Sequence, residues 1–267
     1  PELSPDGKRA AVSILDPASR VFQVWLYDLE SGVGAPLTSG RSENRFSIWS
    51  FDGTRVYFSS DRKGKGDIYV KPASGAGAEE EVFRSPSMAY PTDCSRDGRF
   101  LVLSQYGGMS GGDIWVLPLS GAKQAGAFAA GSMTKDPTAR VSPNSRWLAY
   151  ESHQSGRSEI YVAPFPGPGV PRQVSTGGGS YPRWRRNRTE LYFVSGDNEM
   201  MKVDVRAETS FEFGTPRPLF RLPLKANLIY WFYDVAPDGA KFLVTLPAVA
   251  KQEPLALILN WAAGLKK

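Results

Sequence analysis

Short hydrophobic runs alternate with polar turns along the whole chain. Each run that directly follows a turn is rich in β-branched and aromatic residues and is too short for a stable helix. These runs cover residues 55–59, 99–103, 146–150, 190–194 and 241–245. The pattern therefore predicts buried β-strands separated by tight turns.

The turns recur at a nearly constant spacing. They cover residues 4–7, 50–53, 95–98, 142–145, 185–188 and 236–239. The Asp or Asn of each turn follows the previous one by 46, 45, 47, 43 and 51 residues. A period of roughly 40–50 residues is typical of propellers and solenoids, in which each repeat buries its faces against its neighbours.

Each repeat contains two further runs beyond the strand that follows the turn. The second run is preceded by an acid or amide: Gln23, Asp67, Asp113, Glu159 and Glu199. A third, more polar run covers 35–38, 81–83, 172–175 and 217–220. Together with the segment that leads into the turn, these runs make four strands, which is the composition of a propeller blade. Asp-Gly and Asn turns tolerate positive φ, so they are predicted to join the innermost strand to the second.

We therefore predict an all-β fold, a six-bladed β-propeller of four-stranded antiparallel blades, in a single domain over residues 1–267. The blades are predicted at approximately 1–40, 41–86, 87–132, 133–176, 177–221 and 222–267. The last blade is predicted to lack its outer strand, because no fourth run follows 232–236, 242–246 and 255–261. We expect the missing strand to lie upstream of Pro1.

Composition and charge narrow the classes of partner. The 27 glycines and 21 prolines suit a chain with many turns. The net charge of +5 is spread over all repeats, and the basic run Arg183, Arg185, Arg186 and Arg188 is interpreted as a solvated turn, so no nucleic-acid partner is predicted.

No apolar stretch is long enough for a membrane span. Cys94 is the single cysteine and is interpreted as a core residue. We expect a monomer.

Residues for catalysis or metal binding are scarce. His153 is the single histidine, which leaves no zinc site of the usual type. Residues 108–112 match a nucleophile-elbow pattern, yet they join two predicted strands, whereas the motif requires a strand-to-helix turn. A calcium site is the open alternative, formed by Asp61 with Asp67 or by Asp197 with Glu199. Neither loop, however, has the closely spaced acidic residues of a dedicated calcium site. No catalytic residue, metal or cofactor is predicted, and the chain is not expected to be an enzyme.

The repeat resembles a known one. Its Pro-x-Trp-Ser-Pro-Asp-Gly-like turn, its acid-Ile-aromatic-Val strand and its Leu-Thr run are similar to the TolB-type propeller repeat over the whole chain. The phrases at 180–186, 233–239 and 259–267 resemble the C-terminal propellers of bacterial serine/threonine protein kinases, especially those of acidobacterial type. In those proteins a cytoplasmic kinase and a membrane span precede the propeller. Two turns depart from the Asp-Gly pattern, at Asn144-Ser145 and Asn187-Arg188.

That resemblance implies a noncatalytic sensor or protein-binding part of a larger signalling protein, on the periplasmic or extracellular side of a bacterial membrane. No kinase motif is present in this segment. The alternative is the propeller gate of a prolyl-oligopeptidase-like hydrolase whose catalytic domain is absent.

A binding site is predicted where the innermost strands begin, at the mouth of the central channel. Aromatic side chains with a cation suit a protein, peptide or glycan ligand. The alternative interpretation is that these aromatics only fill space between blades. The predicted site residues are Arg45, Tyr90, Thr138, Tyr181, Tyr230 and Trp231.

Overall fold

The computed structural model describes residues 1–106, 112–134, 138–167, 169–186, 190–222, 233–245 and 256–258, with the backbone alone for 129–134 and 256–258. The chain divides into two compact units, here called the N-terminal unit (Glu2–Ala139) and the C-terminal unit (Arg140–Lys267, with Pro1). Within the described ranges no helix is long and apolar enough to cross a lipid bilayer. The assignment of all 267 residues to one domain stays a prediction.

The N-terminal unit contains three antiparallel sheets of four strands each, and every sheet is a simple up-and-down meander. The first sheet is β1 (Glu2–Leu3), β2 (Arg9–Leu15), β3 (Phe22–Asp28) and β4 (Gly34–Pro36). The second is β5 (Asn44–Trp49), β6 (Arg55–Ser60), β7 (Asp67–Pro72) and β8 (Glu80–Phe83). The third is β9 (Ala89–Cys94), β10 (Phe100–Tyr106), β11 (Gly112–Pro118) and β12 (Gly126–Thr134).

The C-terminal unit continues the same meander. The fourth sheet is β13 (Ala139–Val141), β14 (Trp147–Ser152), β15 (Glu159–Pro164) and β16 (Arg172–Gln173). The fifth is β17 (Ser180–Trp184), β18 (Glu190–Val194), β19 (Glu199–Arg206), β20 (Glu212–Phe213) and β21 (Arg217–Arg221). The sixth is β22 (Tyr233–Val235), β23 (Phe242–Val244) and β24 (Ala256–Ile258).

The predicted four-stranded meander is confirmed, with two corrections. Five sheets are complete blades, while the described part of the sixth has three strands, so a full set of six blades is not established. Much of the predicted sixth blade lies outside the described residues. The fifth sheet has one strand more than predicted, because β19 is eight residues long and pairs with β20 at one end and with β21 at the other.

The turn is held by the same hydrogen bonds in the first four repeats. In the first, the Ser4 hydroxyl donates to Asp6 Oδ1 (2.5 Å) and accepts from the Arg9 amide (2.9 Å). Ser50 and Ser95 make the equivalent bonds to Asp52 and Asp97 (both 2.6 Å). The hydroxyls of Ser4 and Ser50 thereby hold the pKa values of Asp6 and Asp52 below the usual range of a carboxyl. These aspartates therefore serve turn geometry, as predicted.

The last residue has a left-handed backbone in the five turns whose last residue the structure describes. Gly7, Gly53, Gly98 and Gly239 have φ between +67° and +71°, whereas the fourth turn carries Ser145 at φ +56°. A side chain in this conformation costs roughly 1–2 kcal/mol. The Ser145 hydroxyl is also buried, and no hydrogen-bond partner for it occurs among the described residues.

Ser145→Gly should therefore stabilise the protein. We expect a gain of about 0.5–1 kcal/mol after the greater flexibility of glycine in the unfolded chain is deducted, which corresponds to a melting temperature about 1–4 °C higher. The reverse change, Gly98→Ser, should destabilise the protein, since a Cβ there would lie 2.8 Å from the Phe51 ring. Differential scanning calorimetry measures both. An unchanged or lower melting temperature for Ser145→Gly would show that the strain is negligible.

Buried polar residues fasten several sheets to the connection that leaves them. The Thr38 hydroxyl donates to Gln23 Oε1 (2.8 Å) and accepts from the Val24 amide (2.9 Å). In the fourth sheet Ser175 does the same, donating to Glu159 and accepting from the Ile160 amide. The acid or amide at the start of the third strand thus closes a loop in the first, second and fourth sheets.

Cys94 lies in the core, as predicted, with 6% of its surface exposed. Burial raises the pKa of its thiol to about 12, and the Asp93 carboxylate adds to the shift. The thiol is therefore protonated at neutral pH and poorly reactive.

Candidate functional site

Two innermost strands contain a bulge at the same place. In β5, Arg45 pairs with Ser59 but the next paired residue is Ile48, so Phe46 and Ser47 face a single residue of β6. Phe46 has φ +54°. A bulky side chain with positive φ is an outlier, and such strain is concentrated at binding and catalytic sites.

The fifth sheet repeats this geometry. In β17, Ser180 pairs with Val194 and Arg183 with Tyr192, which leaves Tyr181 and Pro182 in the bulge. Tyr181 has φ +58°. Bulges re-aim side chains next to functional sites. Phe46 and Tyr181 are both half-buried, so each presents part of its ring to solvent.

In the N-terminal unit an aromatic cluster surrounds the bulge at Phe46. Phe46 stacks on Tyr90 (ring centroids 4.6 Å apart), and Tyr90 in turn contacts Tyr106 (5.8 Å). The Arg45 guanidinium lies over the Phe22 ring at 4.1 Å and pairs with Glu43 (2.7 Å). We call Phe22, Glu43, Arg45, Phe46 and Tyr106 the mouth cluster. All five are half-buried, and together they form a partly exposed aromatic surface with one ion pair.

The structure separates the predicted site residues into exposed and buried ones. Arg45 belongs to the mouth cluster, whereas Tyr90 is 2% exposed and supports it from beneath. Thr138 is 1% exposed. The carbonyl of Tyr181 accepts a hydrogen bond from the Tyr233 hydroxyl (2.6 Å). Tyr230 and Trp231 lie outside the described residues.

Sequence reasoning missed a recurrent charged position in the innermost strands. The residues four before the turn Asp or Asn are Glu2, Ile48, Asp93, Arg140, Arg183 and Asp234. Five of the six are charged, and of these only Asp93 is not buried. Counting back from the turn would have identified this position from the sequence alone.

Within the C-terminal unit two of these charges meet. Arg183 Nε lies 3.5 Å from Asp234 Oδ1, the guanidinium sits over the Tyr233 ring at 5.4 Å, and both charged side chains are buried. Burial, partly offset by the charge of Arg183, raises the pKa of the Tyr233 hydroxyl. The interpretation of Arg183 as part of a solvated turn is therefore wrong, because β17 turns its side chain inward.

Arg185 does not fit the interpretation of this basic run as a solvated turn either. Its guanidinium pairs with Glu190 (2.8 Å) and reaches the Asp238 carbonyl in the next turn. It is a cross-sheet contact within the C-terminal unit. Arg188 lies outside the described residues.

The described ranges contain no grouping of side chains that could hold a metal ion. No cluster of three or more His, Cys, Asp or Glu side chains occurs there. Asp61 accepts a hydrogen bond from the Glu43 amide (2.9 Å) and Asp67 one from the Ser85 amide (2.9 Å), so both acids fasten loops. Residues 108–111 of the predicted elbow-like loop lie outside the description.

Sequence comparison gives partial matches. No known family profile matches the chain. The "Uncharacterized peptidase YuxL" of Bacillus subtilis is 31% identical over 85 residues, 30% of this chain and 13% of that protein. An uncharacterized protein of Agrobacterium fabrum is 34% identical over 76 residues, 28% of this chain and 25% of that protein. The chain thus spans a quarter or less of the curated relatives it matches.

Structural comparison covers nearly the whole chain. TolB from Acinetobacter baumannii superposes with a TM-score of 0.77 at 17% identity, over 96% of this chain and 62% of TolB. A putative TolB from Agrobacterium tumefaciens superposes with a TM-score of 0.67 at 19% identity, over 82% of this chain and 79% of that protein. A puromycin-hydrolyzing peptidase of Mycobacterium tuberculosis superposes with a TM-score of 0.55 at 15% identity, over 76% of this chain and 36% of that protein. Identities this low show the fold alone, and that fold is the all-β propeller of TolB, built from four-stranded antiparallel blades.

Proposed function

We propose that the chain is a noncatalytic recognition propeller that binds a protein or peptide through the mouth cluster. The observation that carries the proposal is the strained bulge at Phe46, which holds an aromatic ring half-exposed above Tyr90. Beside it, the pair of Arg45 and Glu43 offers both signs of charge to a peptide. Partly exposed aromatic and arginine side chains are the groups that dominate binding energy at protein interfaces.

The proposal predicts that Phe46→Gly loses ligand affinity and keeps the fold. Glycine adopts φ +54° without strain, so the bulge survives while the ring is removed. Peptides selected from a displayed library on the immobilised full chain serve as probes. We expect their affinity to fall at least about tenfold in Phe46→Gly.

Phe51→Ala is the matched control, because Phe51 is 42% exposed and belongs to a turn outside the mouth cluster. Its affinity for the same peptides should be unchanged. Arg45→Ala is a second test within the cluster, and a severalfold loss is expected. Peptides that bind both cluster variants as tightly as the original chain, or a chain that selects no peptide, would contradict the proposal.

We further propose that this propeller is the extracytoplasmic sensor of a larger signalling protein of the receptor-type serine/threonine kinase class. The phrases at 180–186 and 233–239 support this through their resemblance to kinase-attached propellers. The inclusion of Tyr181, Tyr230 and Trp231 in one site with Arg45 remains part of this proposal. Tyr90 and Thr138 enter it as supports, since both are buried.

A second candidate is the propeller part of a peptidase. The 85-residue match to the Bacillus subtilis peptidase and the fold shared with the puromycin-hydrolyzing peptidase favour it. The parent gene separates the two candidates. A kinase domain and a membrane span encoded before Pro1 support the sensor, whereas a hydrolase domain encoded after Lys267 supports the peptidase.

A further inference from the structure

A cleft of about 790 Å³ opens in the N-terminal unit. It is lined by Trp115 of β11, by Phe83 and Pro86 at the end of β8 and just after it, and by residues 122–125 before β12. This volume falls in the range of sites for small organic ligands. None of the mouth-cluster residues contributes to the lining.

Trp115 differs from the tyrosines at the same place in the second and fourth sheets, whereas Trp25 in the first sheet is half-buried like Trp115. Tyr69 is 3% exposed, with the Arg62 guanidinium over its ring at 4.2 Å, and Tyr161 is buried as well. Trp115 is half-buried and lines the cleft. Its Nε1 atom is buried, and no hydrogen-bond partner for it occurs among the described residues. The indole therefore offers carbon surface, not its N–H group, to a ligand.

Trp25 also has an indole N–H without a partner among the described residues, and it is not among the residues that line the cleft, so the carbon surface of Trp115 in the cleft is what distinguishes it. A buried N–H group without a partner costs about 1–3 kcal/mol, and a phenylalanine would avoid that loss. On the other wall, Lys123 has φ +45°, a strained conformation for a residue with a side chain. Strain of this kind is concentrated at ligand sites.

The described residues that line the cleft offer two amides, one hydroxyl and one charged group of each sign. Gln105, Asp113, Lys123 and Gln124 line it, so one carboxylate and one ammonium group balance each other. Gln105 is held in place because its Nε2 donates to the Ser85 hydroxyl at 3.2 Å. The Ser85 amide in turn donates to Asp67. Groups fixed in this way bind a ligand without a large loss of side-chain entropy.

We propose that this cleft binds a neutral pyranose saccharide. A pyranose has a face of C–H groups, which packs against the carbon surfaces of Trp115 and Phe83. Its rim of hydroxyls both donates and accepts hydrogen bonds, which matches the amides of Gln105 and Gln124 and the carboxylate of Asp113. The balanced charge disfavours anionic sugars and simple cations, because either would leave one charged group of the cleft repelled.

The test uses glucose, galactose, N-acetylglucosamine and cellobiose with the full chain, measured by saturation-transfer NMR and isothermal titration calorimetry. At least one of these sugars should bind saturably, and Trp115→Ala should weaken that binding by about tenfold or more. Trp25→Ala is the matched control: Trp25 occupies the same place in the first sheet, which contributes nothing to the cleft lining. Its affinity should be unchanged.

Gln124→Ala keeps the proposal testable if Trp115→Ala fails to fold, because Gln124 is exposed and its removal leaves the core intact. It should weaken binding severalfold at an unchanged melting temperature. Three results would overturn the proposal: no binding of any of the four sugars at roughly 10 mM, binding that survives both cleft substitutions, or preferential binding of galacturonate or benzylammonium.

Discussion

Trp184→Ala should lower the free energy of unfolding by about 3–5 kcal/mol. Trp184 is buried at the end of β17, where its ring meets Phe211 edge to face at a centroid distance of 6.1 Å. Its indole Nε1 donates to the Arg140 carbonyl in the innermost strand of the preceding sheet (2.8 Å). The substitution therefore removes both a large apolar ring and a bond between two sheets. Urea denaturation followed by circular dichroism measures the loss.

Trp184→Phe separates these two contributions. It keeps most of the ring volume and loses the N–H donor, so a loss of about 1 kcal/mol is expected. Trp49→Phe is the matched variant in the N-terminal unit, because Trp49 makes the same bond to the Glu2 carbonyl (3.0 Å). The two variants should lose similar amounts. If Trp184→Phe proved as damaging as Trp184→Ala, the packing explanation would be wrong.

Asp234→Ala should cost a similar amount, about 3–5 kcal/mol, because it leaves the Arg183 guanidinium buried without its carboxylate. Arg183 is 3% exposed and Asp234 8% exposed. The double variant Asp234→Ala with Arg183→Met should be less destabilised than the sum of the two single variants, since it removes both charges. A double-mutant cycle in urea measures this coupling.

The exposed pair of Asp204 and Arg217 is the control for that cycle. Its side chains are 61% and 57% exposed, and the two charged groups lie 3.0 Å apart. Asp204→Ala should therefore cost less than about 1 kcal/mol. Additive losses at Asp234 and Arg183 would show that the buried pair carries no coupling and that the surrounding structure satisfies each charge separately.

The periodic turns made most of the fold predictable from the sequence. Hairpins such as Ser50–Gly53 combine a left-handed glycine with a serine that bonds to an aspartate, and only a few residue types satisfy that geometry. β12 was harder to foresee, because its sequence of small residues has no strand-forming pattern. The extra strand β20 was missed because two residues carry no periodicity.

The mouth cluster could be predicted only in part. Arg45 was identified by its distance from the turn, but the bulge that gives Phe46 and Tyr181 positive φ leaves no signal, since such conformations usually belong to glycine or asparagine. Tyr90 lies in line with Arg45, because both stand seven residues before the turn aspartate, whereas Tyr181 stands six residues before Asn187. Burial of Tyr90 and Thr138 depends on neighbouring strands, which local spacing does not encode.

The outer edge of the fifth sheet consists of two short strands, and this arrangement limits self-association through that edge. β20 and β21 lie along β19 as two short segments, and Pro218 within the second has no N–H group to offer. A foreign strand therefore finds no long row of free donors and acceptors along which to polymerise. Arg217, Arg221 and Glu212 add charge to the same border. This side of the molecule is thereby protected against amyloid-like stacking at high protein concentration.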